Sequence, residues 1–343
     1  MPNALIRVLI VDDSAFVRKI VREMLSRSPF IDVVGLARDG EEGLQMAKEL
    51  NPDVITCDLI MPRLDGVEFV RKQMEIRPVP ILILTASPKE GPRVLEALEA
   101  GAVDLVRKPT ALATEGLLVM REELIERVKA AAVAPMKPRV VVPPPKSVFE
   151  PHPLKVDLVV IGVSTGGPQA LRYLMPQFPA DFPVPIAIVL HMPVGYTLMF
   201  AEKLNSLSNM EVVEACNGQK LRAGQAILAA AGKHLVFHRA NDGSVLTQLI
   251  DEPNEKPHKP SVDVLFQSAA ETFRNRILGV VMTGMGNDGK QGSAWIKAQG
   301  GTVITEAEES CVIYGMPRSV VEAGLSDGAY PLTSLAQTIM RLI

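Results

Sequence analysis

Apolar and polar positions divide the chain into two stretches with the same rhythm. From 5 to 130, apolar runs near 6–11, 31–37, 53–57, 80–85 and 104–107 predict strands, and amphipathic segments near 14–27, 40–50, 64–77, 89–100 and 114–132 predict helices. Strand–helix alternation of this kind indicates parallel βαβ units and a doubly wound α/β domain. Asp13-Ser14 supplies an N-cap for the first helix, and Asn51-Pro52 stops the second. The segment AAVAPMKPRVVVPPPKSVFEPHP (131–153) breaks the rhythm, and its prolines favour an extended linker, either a passive spacer or a docking surface. Alternation restarts at VDLVVIGVS (156–164), with further strands near 184–190, 277–283 and 301–305 and helices near 168–175, 197–207, 261–274 and 289–299. Between 211 and 250 the runs shorten and are punctuated by Asn217-Gly218, Ala223-Gly224, Gly232-Lys233 and Asp242-Gly243, which predict the turns of an antiparallel excursion. The expected organisation is a domain over 1–132, a Pro-rich linker over 133–154, and a second doubly wound domain over 155–343.

Charge narrows the function classes. Residues 1–132 carry 18 basic against 21 acidic side chains, and residues 151–343 carry 15 against 17. Neither half has the basic excess of a phosphate-backbone binder, so no nucleic-acid partner is expected. Cys57, Cys216 and Cys311 lie in or beside apolar runs and read as small buried hydrophobes of a reducing compartment. No apolar stretch approaches the roughly 18 residues a membrane helix needs. A cytoplasmic protein without membrane insertion is expected.

The chemistry of the first half gathers where its strands end. Asp12-Asp13 close the run 6–11, Asp58 closes PDVITCD, Thr85 closes PILILT, and Lys108 follows DLVR. In an open parallel sheet those C-terminal ends share one edge, where such folds place ligands. Three carboxylates, a hydroxyl and an ammonium there suit a divalent cation and a phosphoryl group on Asp58.

In the second half, GVSTGGP (162–168) ends a strand and fits the G-x-S-x-G form of a nucleophile elbow around Ser164. A Gly-rich phosphate loop is the equal alternative on this segment alone. Among five histidines, His191 ends the run PVPIAIVL and belongs at the same edge, whereas His152 lies in the linker and His258 in a Pro-rich loop. His234 and His238 sit four apart on a strand, about 13 Å at the strand rise, which is too far for a shared metal. Asp288, in VVMTGMGNDGKQG (280–292), brings a carboxylate from another strand end, or else simply caps a helix. Backbone amides around Met285 are candidate oxyanion donors, and Thr165 is another. Asp263 competes with Asp288 but falls inside a helix and is expected to tolerate Asn. The order Ser, His, Asp matches neither the α/β-hydrolase nor the chymotrypsin order.

GVSTGGP, HMP, HKPSVDVLF (258–266), TGMGNDG (283–289) and SCVIYGMPR (310–318) together make the chain resemble a chemotaxis response-regulator protein-glutamate methylesterase over essentially its full length. That resemblance implies a flavodoxin-like receiver followed by a Rossmann-like serine hydrolase domain. It implies demethylation of glutamate methyl esters on chemoreceptors with release of methanol, deamidation of receptor glutamines, and a chemotaxis histidine kinase as phosphodonor. Carried over residue by residue, Ser164 is nucleophile, His191 base, Asp288 its orienting carboxylate and Asp58 the phosphoacceptor, with Asp12 and Asp13 helping to hold magnesium. The resemblance further implies that the unphosphorylated receiver obstructs access to Ser164. Three residues depart from the family pattern: Leu105 stands where receivers often carry an aromatic, Tyr196 replaces a phenylalanine, and Val163 replaces an alanine.

Overall fold

The computed structural model describes residues 5–108, 114–134, 155–253 and 258–343, and the chain divides into two compact units, 1–140 and 141–343. Most of the predicted linker lies outside the described residues.

In the first unit, β1 (Ile6–Val11), α1 (Ala15–Leu25), β2 (Ile31–Ala37), α2 (Gly40–Leu50), β3 (Val54–Asp58), α3 (Gly66–Ile76), β4 (Ile81–Thr85), α4 (Gly91–Ala100), β5 (Asp104–Arg107) and α5 (Thr114–Ala132) follow one another as the pattern predicts. The five strands form one parallel sheet in the order β2-β1-β3-β4-β5. β3 and β4 are buried along their whole length, as expected for strands covered by helices on both faces. Ser14 caps α1 by accepting from the Val17 N–H, and Asn51 closes α2 in the left-handed conformation. Strand order reverses between β1 and β3, which opens a crevice above their C-terminal ends.

The second unit runs β6 (Leu158–Val163), α6 (Gly167–Leu174), β7 (Ile186–Leu190), α7 (Thr197–Leu207), β8 (Glu211–Glu214), β9 (Gln225–Leu228), β10 (His234–Arg239), β11 (Val245–Ile250), α8 (Val262–Phe273), β12 (Ile277–Val281), α9 (Lys290–Ala298), β13 (Thr302–Glu306), α10 (Met316–Glu322), β14 (Ala329–Tyr330) and α11 (Leu332–Leu342). Its sheet has seven strands in the order β14-β13-β12-β6-β7-β9-β8, all parallel. Here the reversal point lies between β6 and β12.

The antiparallel excursion is smaller than the turn residues suggest. All four predicted turn glycines have positive φ, but only β10 and β11 form a hairpin. Two turns, at Gly218 and Gly224, separate β8 from β9, so the chain reverses twice and β9 runs parallel to β8. A single turn at Gly243 separates β10 from β11 and leaves them antiparallel. Cys57 and Cys311 are buried as expected, whereas Cys216 is exposed because it follows the end of β8 into the Asn217-Gly218 turn. Beyond 305 the pattern predicts no helix or strand. α11 nevertheless buries Leu332, Leu335, Ala336, Ile339 and Met340, a spacing of three and four that marks a helix face.

Gly162 shows how closely the second unit packs beneath its reversal point. A Cβ there would lie 2.2 Å from Val262 Cγ1, so β6 and the first turn of α8 approach as only glycine permits. Gly162→Ala is therefore expected to force α8 away from β6 and destabilise the second unit by about 1–3 kcal/mol. Urea denaturation followed by the Trp295 signal measures this, and an unchanged midpoint would contradict the close approach.

Candidate functional site

Each unit gathers reactive side chains above its own reversal point. In the first, Asp12 is fully buried just past β1, Asp58 is buried at the end of β3, and Asp13 is exposed beside them. Lys108, just past β5, places Nζ 2.9 Å from Asp12 Oδ2 and 2.7 Å from Asp58 Oδ2. The Leu59 N–H donates to Asp58 Oδ1 at 2.6 Å. Burial pushes the Asp58 carboxyl above its ordinary pKa, Lys108 pulls it down, Asp12 pushes it up, and the net shift is upward. Burial alone would lower the Lys108 pKa, but the two carboxylates outweigh it and keep the ammonium charged. Carboxylate oxygens of Asp12, Asp13 and Asp58 lie within 4.8 Å of one another. Three such oxygens against one ammonium leave an excess of negative charge, and oxygen donors suit a hard divalent cation. Thr85 ends β4 as predicted, but its hydroxyl donates to Glu90 Oε2 at 2.7 Å. Leu105 is buried in the position where an aromatic was absent from the sequence.

In the second unit, Ser164 follows β6 and His191 follows β7, with Val163 directly opposite Leu190. The two residues are thus neighbours across adjacent parallel strands, whose backbones lie roughly 4.8 Å apart. The His191 N–H donates to Val163 O at 3.1 Å, and the Ser164 N–H to Thr283 O at 3.0 Å, which ties the ends of β6, β7 and β12 together. Gly166 has φ +79°, and a Cβ there would lie 2.5 Å from Val312, so the chain turns sharply from the serine into α6. Ser164 is 6 % exposed and His191 also 6 %, so both open only narrowly to solvent.

Asp288 is the most heavily bonded side chain of this edge. His191 Nε2 lies 2.9 Å from its Oδ2. Its oxygens also accept from Ser261 Oγ at 2.9 Å and from the Val262 and Asp263 N–H groups at 2.8 and 2.9 Å. Those amides belong to the first turn of α8, where a carboxylate is favoured by the unpaired N–H groups and the helix dipole. Burial pushes the Asp288 carboxyl up, but His191 and the α8 amides outweigh it and hold the group well below the usual carboxylate range. An ionised carboxylate only accepts, so His191 Nε2 is the donor in this pair. His191 Nδ1 is buried and has no hydrogen-bond partner among the described residues. An imidazole paired in this way keeps a second nitrogen that can take and return a proton.

Asp288 therefore pairs with His191 and caps α8, whereas an Asn-Asp-Gly turn by itself would cap the helix that follows it, α9. Asp263 does lie in α8, yet it is no bystander. Its Oδ1 accepts the Gly289 and Gly292 N–H groups at 2.9 and 2.8 Å, capping α9 as Asp288 caps α8. The Met285 N–H makes no backbone hydrogen bond among the described residues, and Thr165 directly follows the serine.

The sequence reading missed His258. Its ring stacks on His191 with centroids 4.2 Å apart and planes 24° from parallel. The available signal was continuity: His258 opens HKPSVDVLF, the segment that runs into the α8 turn holding Asp288. His234 is buried and structural, with Nδ1 accepting from the Ser261 N–H at 3.2 Å. Among the described residues no helix is long and apolar enough to cross a membrane.

Both units match families of known proteins. Residues 159–339 match the CheB methylesterase family and residues 8–116 the response regulator receiver domain. A protein-glutamate methylesterase/protein-glutamine glutaminase from Myxococcus xanthus is 46% identical over 98% of this chain and 97% of its own. A protein of the same name from Halalkalibacterium halodurans is 42% identical over 98% of each chain. The crystal structure of the Thermotoga maritima CheB methylesterase catalytic domain matches with a TM-score of 0.54 at 38% identity, covering 55% of this chain and 99% of that one. The chain belongs to the CheB methylesterase family, with a response regulator receiver domain preceding the methylesterase domain.

Proposed function

We propose that the protein hydrolyses glutamate methyl esters on chemoreceptors, releasing methanol, and deamidates receptor glutamines, under control of phosphorylation at Asp58. The observation that carries this reading is the His191–Asp288 pair, which leaves His191 Nδ1 as an available base beside Ser164. Ser164 Oγ attacks the ester carbonyl while His191 Nδ1 takes its proton. Asp288, kept ionised by α8, stabilises the resulting imidazolium and holds the ring's orientation. The Thr165 and Met285 amides donate to the oxyanion of the tetrahedral intermediate. Collapse expels methanol, which receives the proton from His191, or ammonia when the substrate is an amide. Water then enters, gives its proton to His191 and attacks the acyl carbonyl; breakdown returns that proton to Ser164 and frees the glutamate.

The receiver supplies the regulation. Asp58 accepts the phosphoryl group from a histidine kinase, and Lys108 and Thr85 respond to the new charge. Asp12, Asp13 and Asp58 fit a magnesium ion, which when bound neutralises charge between carboxylates and phosphoryl group. In the proposed cycle, phosphorylation relieves obstruction of Ser164 by the receiver. The domain limits we assign are 1–132 and 155–343, joined by a linker. Acting on receptor side chains needs no membrane insertion or nucleic acid, and places the enzyme in the cytoplasm.

The experiment that tests the function is methanol release from methylated chemoreceptor membranes, with and without a small-molecule phosphodonor. Release is expected and is raised by the phosphodonor, Ser164→Ala abolishes it, and Asp288→Asn leaves a small residue of activity because shape is kept while charge is lost. Near-normal turnover by Ser164→Ala would sink the serine mechanism.

A second expectation follows from the raised Asp58 pKa. A carboxyl whose folded pKa is raised binds its proton more tightly in the fold, so stability falls as pH rises from the ordinary carboxylate value through the folded one. Above that window the ionised group carries its full cost. Asp58→Asn is accordingly expected to block labelling by a phosphodonor and to raise the melting temperature of the receiver transition at neutral pH. A lower melting temperature would show that the Lys108 pair outweighs burial.

A further inference from the structure

We propose that Thr283 and Glu306 are a positioning pair that holds the oxyanion site of the hydrolase in shape. The proposal rests on the assignment of Ser164 as nucleophile and of the Thr165 and Met285 amides as oxyanion donors. It concerns SCVIYGMPR (310–318) as well, a segment that the reaction itself does not use.

Thr283 lies just past β12 and is bonded in four directions. Its carbonyl accepts the Ser164 N–H at 3.0 Å. Its hydroxyl donates to the Thr165 carbonyl at 3.0 Å and accepts the Ile313 N–H at 3.0 Å. Its own N–H donates to Glu306 Oε2 at 2.9 Å. One residue therefore links the segment after β6, the segment after β12 and the segment 310–316. The neighbouring Gly284 completes the clamp: its N–H donates to Ile313 O at 3.0 Å, and its carbonyl accepts from the Gly315 and Met316 N–H groups at 3.1 and 2.8 Å. A Cβ on Gly284 would lie 2.8 Å from Ser164 Cβ and 2.3 Å from Met316 Sδ, so displacement of 283–284 presses directly on the serine.

Glu306 anchors this clamp from below. It is fully buried at the end of β13, where an apolar side chain would pack without desolvation cost. Its second oxygen accepts from Ser310 Oγ at 3.0 Å, and Ser310 Oγ in turn accepts the Leu332 N–H at 3.0 Å. The chain of bonds thus runs from α11 through Ser310, Glu306 and Thr283 to Thr165 and Ser164. Both proposed oxyanion donors flank it: Thr165 is the residue whose carbonyl it holds, and Met285 follows Gly284. Oxyanion donors act only when fixed where charge develops, so a brace of this kind affects turnover more than substrate binding.

The test compares Thr283→Val, which keeps shape and loses the hydroxyl, with Thr283→Ser, which keeps the hydroxyl, and with Glu306→Gln, in the full-length protein with phosphodonor. Thr283→Val is expected to lower kcat for methyl-ester hydrolysis about 10- to 100-fold with KM changed by less than about twofold. Thr283→Ser should return kcat to within about threefold of wild type, and Glu306→Gln should lower kcat several-fold with KM unchanged. Should Thr283→Val fail to fold, the Glu306→Gln and Thr283→Ser rates still decide. A fluorophosphonate probe, in which Ser164 Oγ displaces fluoride from phosphorus, reports on the nucleophile separately. Labelled wild type together with unchanged kcat in Thr283→Val and Glu306→Gln would overturn the positioning pair alone. A deficit in Thr283→Val that Thr283→Ser fails to repair would also overturn it, because shape rather than the hydroxyl would then be at fault. Wild type that is not labelled at Ser164 would overturn the nucleophile assignment, and the proposal with it.

Discussion

The carboxylate of Asp288 is the group on which the second site depends. Burying an anion costs several kcal/mol unless it is fully bonded, and Asp288 meets that cost with the amides of the α8 turn, Ser261 and His191. The same bonds fix three things at once: where α8 begins, how the loop after β12 closes, and which nitrogen of His191 faces a carboxylate. Asp263 mirrors the arrangement by capping α9 with its own carboxylate. Two helix starts and the strand-end edge that carries His191 are therefore a single structural unit.

The receiver solves a related problem differently. Asp12 and Asp58 are buried beside one ammonium rather than against a helix terminus. That balance is incomplete, as the raised Asp58 carboxyl shows. The three carboxylates of that edge could hold a metal ion, whereas Asp288 is already bonded by protein groups.

Much of this was legible in the sequence because both units are strand–helix repeats. Asp12, Asp58, Ser164 and His191 each stand at the end of an apolar run, Asp288 follows one through a Gly-rich turn, and parallel topology gathers such ends. What was not legible depended on which chain reversals are single and which are double. The segment 215–224 holds two turn glycines, and nothing local says that β8 and β9 therefore run parallel. The His258 stack was hidden for a similar reason. It needs the loop before α8 to fold back over the end of β7, a contact between residues 67 positions apart. Thr283 and Glu306 looked like ordinary strand-end residues, and only the bonds between them separate brace from core.

The most direct test of the account is the protonation of the His191 ring in the resting enzyme, read by nitrogen-15 NMR of the imidazole. Whenever the ring is neutral, the Asp288 contact predicts the proton on Nε2 and a bare Nδ1, and loss of that preference in Asp288→Asn. A resting His191 with its proton on Nδ1 would contradict the account, because no lone pair would then face the serine side of the ring.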